Sequence, residues 1–268
     1  MALAYLTEGS PDLTASAWSD ATGFADDATL IVEKGTQAIV SSLTAGSGLT
    51  NGISYIHFRS GFTGVVGGPA GALETKYHST YSAKPNVILD GGTLYLTNTN
   101  TAAWILVLSG TLYLVSGTTT LLEQRGGIVH RSTSAVVTTL DKQGGEFRDL
   151  GDNTNAITTG HVVGSAWFRS TVTTLNIYED GNVTSDYTTG PTTVNMYGGR
   201  CNLLRGGATT INGRRGILDV RMAGRDQTIS TLNQWPKFRY LSAGAANTTT
   251  VSSTVPKVGG AAEVNDSI

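Results

Sequence analysis

The chain has 268 residues, 39% hydrophobic and 14% charged, which is enough apolar material for one large domain or two small ones and too much for a disordered polymer. Its 34 glycines and 40 threonines disfavour helix interiors, so the composition predicts an all-β fold. Eighteen basic against twenty acidic residues leave a net charge of −2, without the basic field that recruits nucleic acid or an anionic membrane surface.

From the amino end, residues 1–33 contain Glu8, Asp12, Asp20, Asp26, Asp27 and Glu33 but no Lys or Arg, and Pro11 and Gly23 interrupt any periodicity. They read as an acidic N-terminal arm. The first ten residues lack the basic and apolar regions of a secretory signal. The apolar run at 102–108 is too short to span a bilayer. Cys201 is the only cysteine, so no internal disulfide forms, and a reducing cytoplasm is the expected site of folding. Residues 34–88 hold strand-like pieces, with 29–32 just ahead of them and 38–43 and 53–58 within, separated by glycine loops such as 64–71. This segment is expected to be a β-rich cap or small β domain, because a bare solenoid end exposes unpaired strand edges. The stretch from Gly46 to Gly52 misses the dinucleotide fingerprint by one position and has no helix after it.

Residues 89–241 carry a repeat. Gly92, Gly110, Gly127, Gly145, Gly164, Gly181, Gly199 and Gly216 follow one another at intervals of 17 to 19 residues. Two residues after them stand Leu94, Leu112, Val129, Phe147, Ala166, Val183, Cys201 and Leu218, all apolar. The alternation continues less regularly four residues on, where Arg131, Asp149 and Ser185 interrupt Leu96, Leu114, Phe168, Leu203 and Val220. A second strand opens at Thr-Thr pairs, as in Thr138-Thr139-Leu140, Thr173-Thr174-Leu175, Thr192-Thr193-Val194 and Thr209-Thr210-Ile211, while Thr158-Thr159 runs into Gly160. Strands of this kind cannot bury a face alone; stacked at about 4.8 Å they share one core. The fold class is therefore a parallel β-solenoid (β-helix) of about 18 residues per rung. A left-handed hexapeptide solenoid would need an aliphatic residue every six positions, and Asn100, Thr118, Ala135 and Asn153 stand where it would have them. A calcium-binding β-roll needs a third glycine and an aspartate that Gly126-Gly127-Ile128-Val129-His130 does not supply. Residues 242–268, rich in Ala, Gly, Ser, Thr and Val, read as an extended low-complexity tail, disordered alone or ordered against a neighbour.

Few residues invite chemistry. His57, His78, His130 and His161 are scattered, and with one cysteine they make no metal set. Cys201 falls in the inward column and is expected to be a buried small hydrophobe. Glu146 or Asp149 with Asp141, and Glu179 with Asp180, are the carboxylate pairs to weigh for glycoside cleavage, but nearly all sit at turns or beside arginines. Asn176, Asn195 and Asn212 recur at one position and predict an amide ladder. No catalytic residue, cofactor or metal is expected.

Two surface features suggest an interface. Three residues after each glycine the outward column reads Tyr95, Tyr113, His130, Arg148, Trp167, Thr184, Asn202, Asp219, a mixture that buried interfaces enrich. The second is Arg200, Arg205, Arg214, Arg215, Arg221 and Arg225, whose complement would be the acidic arm. The interface set is thus Tyr95, Tyr113, Arg148, Trp167, Arg200, Arg205, Arg214 and Arg215.

A Gly/Thr-rich solenoid with an acidic arm ahead and a low-complexity tail behind resembles virion β-helix proteins of tailed bacteriophages, capsid decoration (cement) proteins above all and tailspike-like proteins more distantly. The resemblance covers residues 89–241 by architecture only. It implies a non-enzymatic structural protein of the virion, assembled in the host cytoplasm, whose partners are the major capsid protein or other virion proteins. It also implies a homotrimer whose coils meet along the Tyr95, Tyr113, Trp167 column. A carbohydrate-binding or carbohydrate-cleaving tail protein, using Trp167, Tyr178, Tyr187 and Tyr197 as stacking platforms, is the alternative. An ice-binding solenoid would want Thr-x-Thr on every rung, whereas these pairs are adjacent and mixed with Asn and Arg.

Overall fold

Strands pair in parallel with those one turn away, so the chain is an all-β parallel solenoid with turns about 18 residues apart. The computed structural model describes residues 3–5, 29–36, 38–39, 44–45, 55–68, 73–75, 85–242, 249–256 and 264–265. No helix occurs among the described residues. The chain divides into two compact units, Met1–Thr138 and Thr139–Ile268.

In the first unit, Leu3–Tyr5 pairs with Thr29–Gly35, which pairs with Tyr55–Phe62, which pairs with the start of Val87–Gln124. Parallel stacking therefore reaches back through the described part of the segment expected to be a cap. Leu30, Ile56, Val87, Val32, Phe58 and Leu89 fill the interior, with the Phe58 and Phe62 rings 5.9 Å apart. Further along, Leu94, Leu112 and Val129 are fully buried, as the column of apolar residues two after each glycine requires. Arg131 is also fully buried. The inward alternation thus continues through a residue too polar to have revealed it.

The recurrent glycines are needed for their backbone. Gly92, Gly110, Gly127, Gly145, Gly164, Gly199 and Gly216 have φ between 65° and 94°; at the remaining anchor the left-handed residue is Asp180, φ 65°, rather than Gly181. At Gly110 an added Cβ would lie 2.5 Å from the carbonyl oxygen of Gly92, one turn away. The turns stack too closely there for a side chain.

In the second unit one inward column runs Phe147, Ala166, Val183, Cys201, Leu218, Tyr240 in continuous register. The threonine-led strands supply another, Leu140, Gly160, Leu175, Val194, Ile211, Leu232. Gly160 was expected to break that pattern, yet Thr159 stays in register with Thr139 and Thr174. The side chains of Val172 and Leu175 lean over the vacant seat, coming within 3.4 and 3.5 Å of where a Cβ would be. Described parts of the C-terminal tail add strands to the preceding turn: Thr249–Val251 and Thr254–Pro256 pair with Gln227–Leu241.

Two polar residues are built into the second unit's interior. Asp149 accepts hydrogen bonds from the Arg169 amide at 2.8 Å and the Ser170 hydroxyl at 2.9 Å. Lys142 is fully buried and donates to the carbonyls of Gly144, Gly145 and Val163 at 3.1, 2.8 and 3.0 Å. Three donors meet three acceptors, so each hydrogen of the buried ammonium has a carbonyl partner. Burial pushes its pKa down to about 8, against the upward pull of Glu146.

Gly110→Ala should lower stability by about 2 kcal/mol or more, since left-handed φ alone costs an alanine roughly 1–2 kcal/mol. Gly160→Ala should be neutral or stabilise by roughly 0.5 kcal/mol; urea midpoints of the two variants check this. The folded Lys142 loses its proton before the unfolded one, so its contribution to stability rises between pH about 8 and the unfolded value near 10.5. Lys142→Met should abolish that rise and, by removing three hydrogen bonds to carbonyls, cost about 1–3 kcal/mol at pH 7.

Candidate binding surface

In the first unit the outward column is a stack of rings. Tyr95 and Tyr113 lie 4.4 Å apart at 5° between planes, and Tyr113 and His130 follow at 4.8 Å and 26°. A spacing of one turn places each ring over the last. Burial and the neighbouring Tyr113 hold the Tyr95 phenol above its ordinary value. The ring faces cover one another, and their edges form a rigid half-buried ridge.

In the second unit the outward column Arg148, Trp167, Thr184, Asn202, Asp219 is in register turn by turn. Trp167 is 40% exposed, and Arg148 pairs with Glu146 on its own strand. Glu146, Arg148, Trp167 and Thr184 border an open groove of about 440 Å³, lined also by Ser165 and Asn182. Asp219 departs from the expected pattern: it is only 3% exposed, beneath Arg200 and Arg221. Its carboxylate accepts from the Arg221 side chain at 2.8 Å and the Arg221 amide at 3.0 Å. Burial alone would raise its pKa, but those hydrogen bonds and the charges of Arg221 and Arg200 hold it below the ordinary carboxylate value.

The arginine set finds its partners within this unit. Arg205 joins Asp152 at 2.6 Å and Asp186 at 2.7 Å, and Asp152 also holds Arg169 at 2.9 Å. The Arg205 hydrogen bond is the main reason the Asp152 carboxyl stays below its usual range. Arg215 reaches Glu179 at 3.4 Å, and Arg225 donates to the backbone carbonyls of Arg205 and Thr188. Arg214 lies between Tyr197 and Trp235, 5.4 and 5.6 Å from the ring centres. Below it Tyr178 stacks on Tyr197 at 5.3 Å and on His161 at 6.2 Å. Charge complementarity had pointed to the acidic arm; Glu8, Asp12, Asp20, Asp26 and Asp27 lie outside the described residues, and Glu33 pairs with Arg59 at 2.5 Å.

Three of the carboxylates weighed for glycoside cleavage have partners of their own. Asp149 is tied to Arg169 and Ser170, Glu146 to Arg148, and Glu179 to Arg215. Cys201 sits in the inward column, fully buried, which pushes its thiol up to about 12. Among the described residues no three His, Cys, Asp or Glu side chains gather to hold a metal.

The asparagine ladder is present and longer than its sequence signature. Asn195 donates to Asn176 at 2.9 Å, Asn212 to Asn195 at 2.8 Å and Asn233 to Asn212 at 2.7 Å. Asn233 escaped notice because its turn has Ser230-Thr231 in place of a Thr-Thr pair. Thr231-Leu232-Asn233, compared with Thr174-Leu175-Asn176, is the signal that could have found it.

No family model, curated protein or solved structure matches this chain.

Because Asp219 has a lowered folded pKa, its stabilisation is complete above the unfolded carboxylate value of about 3.9 and is lost as pH falls through the folded value. Asp219→Asn should flatten that acid limb and, by weakening charge-assisted hydrogen bonds, cost about 1–3 kcal/mol at pH 7. Urea midpoints between pH 3 and 7, compared with wild type, give the difference directly.

Proposed function

We propose that the chain is a structural protein that docks on a larger assembly through the side of its solenoid. The assembly suggested by the resemblance is the capsid or tail of a tailed bacteriophage, which the protein decorates and stabilises as a side-by-side trimer, meeting the major capsid protein or its neighbours. The observation that carries this reading is where the ionisable groups have gone. Asp149, Asp152, Asp186 and Asp219 are bound by arginines or backbone amides, Lys142 is enclosed by carbonyls, and Cys201 is buried as a thiol. These six groups are committed to holding turns and core together, and beside them the side of the solenoid presents a preformed surface. A rigid ridge such as Tyr95–Tyr113–His130 loses little conformational entropy when covered, which favours it as a contact. Guanidinium groups occupied by carboxylates and carbonyls are poorly placed to neutralise phosphates, so nucleic acid is not the partner proposed.

Co-sedimentation with purified virions, with mass spectrometry of the intact particles for copy number, tests the reading. The chain should be present at a fixed stoichiometry, and a Tyr95→Ala/Tyr113→Ala double variant should lose about tenfold or more in retention at a temperature where it stays folded, its melting temperature falling by no more than the lost ring stacking of about 0.5–1.5 kcal/mol accounts for. Absence from every particle tested, together with no affinity for empty capsids, would sink it.

A further inference from the structure

Trp167 differs from the other exposed aromatic side chain of residues 139–268. Tyr178 has its ring against His161 and Tyr197, whereas among the described residues no ring or guanidinium stacks on the Trp167 indole. Strand alternation surrounds that indole with polar groups on three consecutive turns: Glu146 and Arg148, then Ser165 beside Trp167, then Asn182 and Thr184. They line the open groove, whose floor is the backbone at Phe147 and Ala166. Outward residues on one strand stand about 7 Å apart and three turns cover about 10 Å, which is the footprint of one or two sugar rings. Ser165 and Thr184, the neighbours of Trp167 along and across the strands, are small enough to leave a flat ligand access to the indole.

We propose that this groove binds a saccharide, with the C–H face of a pyranose against Trp167 and its hydroxyls on the Glu146–Arg148 pair and the Asn182 amide. A carboxylate, a guanidinium, an amide and two hydroxyls within one ring's reach match the alternating donors and acceptors of a sugar. A peptide anchor would need an apolar pocket around the indole, and of the six outward positions here one is apolar. The inference does not rest on the docking reading, whose contact is the Tyr95–Tyr113 ridge, and it requires that Trp167 lie outside the trimer seam that the resemblance implies.

The full chain should be applied to an array of neutral hexose, N-acetylhexosamine and uronate oligosaccharides, and the strongest class then titrated by intrinsic tryptophan fluorescence. Wild type should retain at least one class. Trp167→Ala should weaken it about tenfold or more, Glu146→Gln should weaken it, Trp167→Phe should restore part of it, and Tyr178→Ala should leave it unchanged. Retention of no class above the Trp167→Ala background overturns the proposal, as does retention indifferent to Trp167→Ala. So does a Trp167→Ala variant that loses particle binding in the absence of any glycan binding, which would make the indole a protein contact. Glycan binding without particle association would refute only the docking reading.

Discussion

Parallel backbone pairing displaces each turn from the last by one strand spacing, about 4.8 Å, and gives most side chains a neighbour at the equivalent position above and below. Within each unit this constraint decides what may occupy a column. Apolar side chains gain from it, as do asparagines, whose amide donates to the next carbonyl, and flat rings, which stack. Leu94 and Leu112, the Asn176–Asn233 ladder, and the Tyr95–Tyr113 pair are three outcomes of one geometry.

Like charges on adjacent turns repel at this spacing, and the outward columns mostly avoid them, Arg215 over Lys237 being an exception. In the second unit no charged residue is repeated on adjacent turns of the register from Glu146 to Arg200 or from Arg148 to Asp219. Charges are instead paired diagonally or within a strand. Asp219 receives Arg200 from the turn before and Arg221 from two residues on, and Arg205 bridges Asp152 and Asp186 at a corner. Exposed ion pairs of this sort contribute little each, about 0–1 kcal/mol. Asp219 is the exception in kind, since it is buried and would be left without compensation if its arginines were removed.

This distinction explains which parts of the molecule were legible from sequence. Hydrophobic columns and the glycine turns repeat with the backbone, so spacing reveals them; Cys201 could be placed between Val183 and Leu218 for that reason. The asparagine ladder was visible until its Thr-Thr flag changed to Ser-Thr. Arg131, Asp149 and Ser185 looked like failures of the alternation because polarity was read as exposure, yet all three are buried. Gly160 looked like a break because a missing side chain carries no hydropathy signal, while its backbone kept register. The enclosure of Lys142 depends on three carbonyls brought together by the turn at Gly144 and Gly145 and by Val163 in the following turn. No residue type records the position of a carbonyl.

Surface chemistry follows from the same constraint by subtraction. An aromatic residue with rings in equivalent seats on adjacent turns has its faces covered, and this is the condition of Tyr113 and Tyr178. Their periodic recurrence, which draws attention to them as platforms for a ligand, is also what closes them. An aromatic residue whose neighbours in the column are of another kind keeps a free face. Trp167, between Arg148 and Thr184, meets that condition because the pattern lapses there. In a solenoid the repeated positions build the stack, and a free aromatic face is left at positions where the repeat is broken while the backbone beneath it stays regular.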